Sequence, residues 1–342
     1  MSSSRATLIQ VARRAGVSLA STSRALHGTG ASPAMVERVR AAAAELGYSP
    51  DATGRSLRMK RTFQVAFAVA DIGNPVYVEM LTAIHEVLAP HGYRVVVMST
   101  GQTVASTVDL VRSLGSGFVD GLVVSPLRTD DTLAEAIRQA PVPVVVIGRS
   151  LDGIDSVSTD SADGIGLAVA HLLEIGRRRI GFVNGPLDTT PGAARQRGFD
   201  AATAHPGFTG EHAETERADD FTVTAGLEAG RRLLARGDLD AVVAANDLLA
   251  IGVVRAAGEL GLTVPGDLAV TGMDDTEIGQ VFRPSLTSVS LGSAERGRLA
   301  ARLVLDRVGD GDGVDPARQS AVGPHLVVRE STAVASKEKS AR

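Results

Sequence analysis

The stretch Val11–Gly28, VARRAGVSLASTSRALHG, decides how the chain is read: two short helical patterns, both carrying arginine, meet across a tight turn. Upstream, Leu8, Val11, Ala12 and Ala15 form an apolar stripe behind Thr7, a residue type that caps helix N-termini. Gly16 suits the end of that helix, because the left-handed conformation needed there is resisted by a β-carbon. Ser18 is placed to cap a second helix reaching about Leu26, and Ser32-Pro33 opens a third running to Leu46-Gly47. Val11, Ala15, Val17 and Leu26 are expected to lock the first pair. Helix, glycine turn and second helix make a helix-turn-helix, whose second helix lays its N-terminal residues in the DNA major groove. On these residues alone an ordinary packing unit fits equally well.

Charge separates this segment from the rest. Residues 1–61 hold ten basic side chains (Arg5, Arg13, Arg14, Arg24, Arg38, Arg40, Arg55, Arg58, Lys60, Arg61) against three acidic ones (Glu37, Glu45, Asp51). That net +7 leaves −11 for the remainder of a chain whose total is −4. A basic module on an acidic body points to a polyanion met by the module alone. In Tyr48–Thr62, YSPDATGRSLRMKRT, four basic residues surround the isolated apolar Leu57, a pattern that a charged linker would also show.

At 342 residues the chain is long enough for two or three domains of about 100–200 residues. Hydrophobic content of 44% and charged content of 22% suit a globular protein. No run of about 18 apolar residues exists, and MSSSRATLIQ has no apolar signal core, so a cytoplasmic protein is expected. The absence of cysteine excludes disulfides, thiolate metal sites and a cysteine nucleophile.

From Phe63 onward, short apolar runs alternate with amphipathic segments: VAFAVA, RVVVMS, DGLVVS, VPVVVIG, RIGFVN, DAVVAA and LAVTGM. Such alternation means βαβ units and parallel sheets covered on both faces. The units divide near SVSTDSADG into two doubly wound halves with a cleft between them. The stretch Val308–Gly323, VGDGDGVDPARQSAVG, reads as a solvated loop and SKEKSAR as a frayed tail.

Enzymatic signatures are missing. There is no G-x-S-x-G elbow, no G-x-x-x-x-G-K-[ST] phosphate cradle and no complete G-x-G-x-x-G after a strand. No histidine pair has helical i, i+4 metal-ligand spacing, and GDGDG lacks the remaining ligands of a calcium loop. No catalytic residue, metal or cofactor is expected.

From Ala6 to about Ala333 the chain resembles the LacI/GalR family of bacterial transcription regulators, the lactose-repressor and purine-repressor family. The resemblance rests on VARRAGVSLASTSRALHG, VRAAAAELGYSPDATGRSLR, DIGNPVY, DGLVVS, AANDLLAIG and VTGMDDTEIG, in that order and spacing. It implies an all-α helix-turn-helix headpiece and an α/β core of two doubly wound parallel-sheet lobes, like periplasmic binding proteins. The boundaries that follow are headpiece 1–50, hinge helix or linker 51–61, core 62–333 and flexible tail 334–342. Within the core, the N-lobe takes about 62–160 and 291–322, and the C-lobe about 161–290 and 323–333.

The implied function is a homodimeric repressor on a pseudo-palindromic operator, released by a sugar or sugar-like effector, with a nucleobase corepressor as the alternative. A transport-type sugar-binding protein would need an export signal and no headpiece, the reverse of what stands here. On DNA the resemblance turns Leu19, Ala20 and Arg24 toward base edges, Arg24 toward guanine and the other two toward apolar contact. Ser18, Ser21 and Ser23 are phosphate candidates, Ser18 equally a cap, and Thr7 and His27 complete the headpiece set. Leu57 is the implied minor-groove wedge, flanked by Gly54, Arg55 and Arg58. Asp51 and Gly54 depart from the usual asparagine and alanine, and Thr22 and His27 from valine and asparagine.

For the effector the resemblance implies Arg195, Asn246 and Asp274 as polar contacts and Phe221 as a stacking wall, with Asp71, Tyr77, Arg149 and Asp160 as further candidates. These residue types suit vicinal hydroxyls, and several follow strands, where doubly wound sheets bind ligands. Asp247 is expected to cap a helix, and Asp71 and Asp275 serve equally well as loop-structuring residues. Leu291 stands where some relatives place a polar contact.

Overall fold

A computed structural model describes residues 6–27, 30–48, 61–309 and 316–333. The chain separates into two compact units, Met1–Thr62 and Phe63–Arg342. The first contains helices α1 (Leu8–Ala15), α2 (Leu19–His27) and α3 (Pro33–Glu45). Thr7 starts α1 with a reciprocal capping box to Gln10, and Gly16 ends it at φ 67°. Ser18 Oγ accepts the Ser21 N–H at 3.1 Å and so caps α2.

Val11, Ala25 and Val39 are fully buried in this small core, with Ala42 and Ala43 beside them. Ala15, Val17 and Leu26, expected to lock the helices, only flank it. The fully buried Thr22 donates its hydroxyl to the Ser18 carbonyl at 3.0 Å, which supplies the partner a buried hydroxyl requires.

The second unit holds two six-stranded sheets. In the first, β1 (Gln64–Val69), β2 (Arg94–Ser99), β3 (Gly121–Ser125), β4 (Val144–Gly148), β5 (Ser156–Thr159) and β11 (Gln319–Val322) are ordered β11-β5-β4-β3-β1-β2, all parallel. The second orders β6 (Arg179–Asn184), β7 (His212–Arg217), β8 (Ala241–Ala244), β9 (Ala269–Met273), β10 (Thr287–Ser290) and β12 (His325–Val327) as β12-β10-β9-β8-β6-β7. Only β12 is antiparallel to its neighbour. The chain passes between sheets after β5, after β10 and after β11.

The pleat explains the continuous apolar runs. Val65, Phe67 and Val69 of β1 enter one cluster, while Ala66 and Ala68 enter the cluster on the opposite face. Both faces are covered by helices: α4 (Pro75–Leu88) and α12 (Ser293–Gly309) pack together on one, α5 (Val104–Ser113) and α6 (Asp131–Arg138) on the other. The second sheet carries α7 (Ser161–Glu174), α8 (Thr190–Ala204), α9 (Val223–Leu234), α10 (Asp247–Glu259) and the short α11 (Glu277–Val281).

Gln319–Val322, inside the segment read as a solvated loop, is an edge strand paired with β5. Asp155 secures it, accepting the Arg318 N–H at 2.7 Å and two hydrogen bonds from Arg307 at 2.7 and 2.9 Å. No helix among the described residues is long and apolar enough to cross a membrane.

Candidate functional site

The exposed side of α2 carries the headpiece candidates. Leu19 is 47% exposed and is followed by exposed Ala20 and, one turn later, exposed Arg24. Ser18 and Ser21 are joined through their hydroxyls at 2.9 Å, and Arg24 Nη2 approaches Ser21 Oγ at 3.5 Å. Ser23 is half-buried, while Thr7 is exposed and engaged in its capping box. His27 is the last residue of α2. The hinge candidates Gly54, Arg55, Leu57 and Arg58 lie outside the described residues.

In the second unit a cavity of about 1150 Å³ opens between the lobes at the carboxyl ends of their strands. All eight effector candidates, Asp71, Tyr77, Arg149, Asp160, Arg195, Phe221, Asn246 and Asp274, line it. Arg195 projects from α8, buried, with its Nη2 at 3.4 Å from Asp274 Oδ1 and its guanidinium carbon 5.7 Å from the Phe221 ring centre. Asp274 follows β9 at φ 101°, a backbone strain that a non-glycine residue keeps only when its surroundings demand it. Burial pushes its carboxyl pKa up, while Arg195 and Arg296 pull it down. The Phe221 ring lies over Gly185, where any β-carbon would run into it.

Several candidates also do structural work. Asn246 caps α10, its Oδ1 accepting the Leu249 N–H at 2.8 Å while Nδ2 donates to the Phe221 carbonyl at 3.2 Å. The expected cap, Asp247, is instead the first helical residue and binds Thr276 and Ser288. Asp160 caps α7, and Asp71 accepts the Gly73 N–H at 2.8 Å. Arg149 is exposed and donates to Thr129 Oγ1 at 3.2 Å. Tyr77 packs edge-on to Phe67; burial raises its phenol pKa, while a hydrogen bond with Ser125 opposes the shift. Asp275 does not line the cavity and pairs with Arg329 at 2.6 Å.

The sequence reading missed Arg296, a buried arginine on α12 that lines the same cavity. Burial lowers its pKa to about 10, which leaves it charged at neutral pH. A signal was available: the rule that ligand contacts follow strand ends, applied after β1, β8 and β9, applies equally to the segment after β10. Among the described residues no cluster of three or more His, Cys, Asp or Glu is arranged to hold a metal.

Comparison with known proteins agrees with both units. Residues 7–51 match the model for bacterial regulatory proteins of the lacI family, and residues 169–332 match a periplasmic binding protein-like domain. The HTH-type transcriptional regulator CelR of Thermobifida fusca is 35% identical, over 96% of this chain and 98% of its own. The ribose operon repressor of Escherichia coli K12 is 32% identical, over 89% and 93%. A crystal structure of the lac repressor dimer bound to operator and the anti-inducer ONPF superposes with a TM-score of 0.83 at 27% identity, covering 97% of this chain and 100% of that one. A CelR–cellobiose complex gives 0.70 at 33% identity, covering 96% and 100%. Helix-turn-helix motif, two-lobed core and full-length similarity agree: this chain belongs to the lacI family of bacterial regulatory proteins, which are transcriptional regulators and not enzymes.

Proposed function

We propose that the chain is a dimeric repressor that reads a pseudo-palindromic operator with α2 and is released when a sugar or sugar-like effector enters the inter-lobe cavity. The observation carrying this reading is the convergence of Tyr77, Arg195, Phe221, Asn246 and Asp274 on one cavity. They combine paired donors and acceptors with an aromatic face, the chemistry that recognises vicinal hydroxyls. CelR in complex with cellobiose and the lac repressor dimer on operator support the two halves of the proposal.

In this reading residues 1–50 bind DNA, 51–61 form the hinge with Leu57 as its wedge, and 62–333 form the effector core. An effector acts through its higher affinity for one angle between lobes, because a ligand shifts an equilibrium only by its differential affinity. The test uses the full chain on a duplex selected from a random library, with affinity followed by fluorescence anisotropy as carbohydrates are added. Release by a carbohydrate is the expected result. Tightening by a nucleobase, with no carbohydrate effect, would replace release with corepression.

A further inference from the structure

The floor of the cavity carries more positive charge than its protein partners neutralise. Arg195 enters from α8 of one lobe and Arg296 from α12 of the other, each less than a tenth exposed. Asp274 is the single buried carboxylate among the cavity's lining residues, and its contact with Arg195 at 3.4 Å is long for a charge-assisted hydrogen bond. The Arg296 guanidinium makes one protein hydrogen bond among the described residues, from Nη2 to Ser293 Oγ at 3.3 Å. The Nε atoms of both arginines and the hydroxyl of Thr159, which also lines the cavity, are buried without partners. Unpaired buried donors of this kind are rare in folded proteins and costly, and guanidinium groups suit planar or tetrahedral oxyanions best.

The nearby acidic residues offset this charge only in part: Glu79 of α4, whose charge reaches Arg296, is exposed to solvent. Asp71 and Asp160 are exposed and already accept backbone N–H groups from Gly73, Ala162 and Asp163. Asp220 accepts the N–H of Phe221 at 2.7 Å. The margin therefore holds solvated carboxylates occupied by their own loops, while the floor holds two guanidinium groups against one carboxylate.

We propose that the effector is a carbohydrate bearing an anionic group, a carboxylate or a phosphate, which Arg296 and Arg195 grip from opposite lobes. This inference rests on the proposed function in taking the cavity as the effector site, and it narrows the effector's class. Arg296 becomes a specificity-determining residue, and an oxyanion bridging the two arginines ties one lobe to the other. The sugar ring lies toward Phe221 and Asn246.

The test is calorimetric titration of the full chain with skeleton-matched probes: glucose, glucuronate and glucose 6-phosphate, the corresponding galactose set, and cellobiose with cellobionate. The expected result is binding of one acidic member about tenfold or more tighter than its neutral partner. Carboxylate and phosphate members separate the two sources of the anion. Arg296→Met should bring the acid-to-neutral ratio close to one, and Arg296→Lys should retain part of it. Because the readout is a ratio within each variant, partial unfolding does not imitate it.

A neutral sugar that binds as tightly as its acid and releases operator would overturn this inference and leave the repressor reading standing. An acidic sugar that binds through Arg296 without changing operator affinity would uphold the inference and overturn the release mechanism. Failure of every probe to bind would overturn both. An acid preference unchanged in Arg296→Met would remove the role assigned to Arg296.

Discussion

On α2, Arg24 and Leu19 offer different contacts to a duplex. Arg24 is a long cation that reaches Ser21 among the described residues, whereas Leu19 is an apolar side chain held in water. Only the guanidinium can discriminate a base by paired hydrogen bonds. Arg24→Ala is therefore expected to reduce discrimination at one base pair by about 1–3 kcal/mol, measured by competition among duplexes altered one position at a time. An unchanged ranking would take Arg24 out of base reading. In the cavity, Gly185→Ala adds a methyl group where the Phe221 ring now lies. Overpacking of this kind costs about 1–3 kcal/mol, and moving the ring is the available relief. Effector affinity is expected to fall in Gly185→Ala in the same direction as in Phe221→Ala; a glycine variant with full affinity would show that the ring does not stack on ligand.

At the scale of elements, the N-terminus of α10 shows how one carboxylate fastens two strand ends. Asp247 accepts the Thr276 N–H at 2.7 Å, the Thr276 hydroxyl at 2.8 Å and the Ser288 hydroxyl at 2.6 Å, joining α10 to the loop after β9 and to β10. Burial pushes its pKa up to about 7, with help from the charge of Asp274 and against the hydrogen bonds it accepts. The folded chain thus keeps a proton that the unfolded chain releases at about pH 4, so this group's contribution to stability declines from about pH 4 to about pH 7 and then levels off. Asp247→Asn is expected to flatten that part of the stability profile in urea unfolding across the range. A profile with the same slope would mean that Asp247 is ionised throughout. The same element explains a misassignment: Asn246 and Asp247 are both good capping residues, and only the backbone geometry selects Asn246.

At the scale of the whole molecule, the chain's return from α12 through β11 is tied down by the Asp155–Arg307 pair. Burial alone would raise the Asp155 pKa, but hydrogen bonds from Arg307 and the Arg318 backbone hold it below the usual carboxylate range. A lowered folded pKa means that the contribution is present above about pH 4 and is lost as the carboxyl protonates in the folded state below that. Arg307→Met leaves a buried carboxylate without its main partner and is expected to cost about 3–5 kcal/mol, read as a lower unfolding midpoint at pH 7. The deficit should shrink as pH falls toward the acid limb. A midpoint within error of wild type would show that the Arg318 N–H alone suffices.

How much was legible follows from the physics of each signal. The three headpiece helices were readable because Thr7, Gly16, Ser18 and Pro33 act within a turn of themselves. The central strands were readable because burial on both faces makes them continuously apolar, as in Gln64–Val69. Edge strands such as His212–Arg217 and Gln319–Val322 have a solvated side, carry polar residues and gave no such run. The eight cavity residues were reached through the family resemblance together with the strand-end rule. Local chemistry and apolar periodicity thus determined from sequence the three headpiece helices and the alternation of strands and helices in the two lobes, while the family resemblance supplied the DNA-reading role of the second helix and the eight cavity residues. Only the tertiary structure decided which of those polar groups are occupied by their own loops and which, like Arg195 and Arg296, reach one cavity from different lobes with Nε unpaired, because burial and partnership depend on residues distant in sequence.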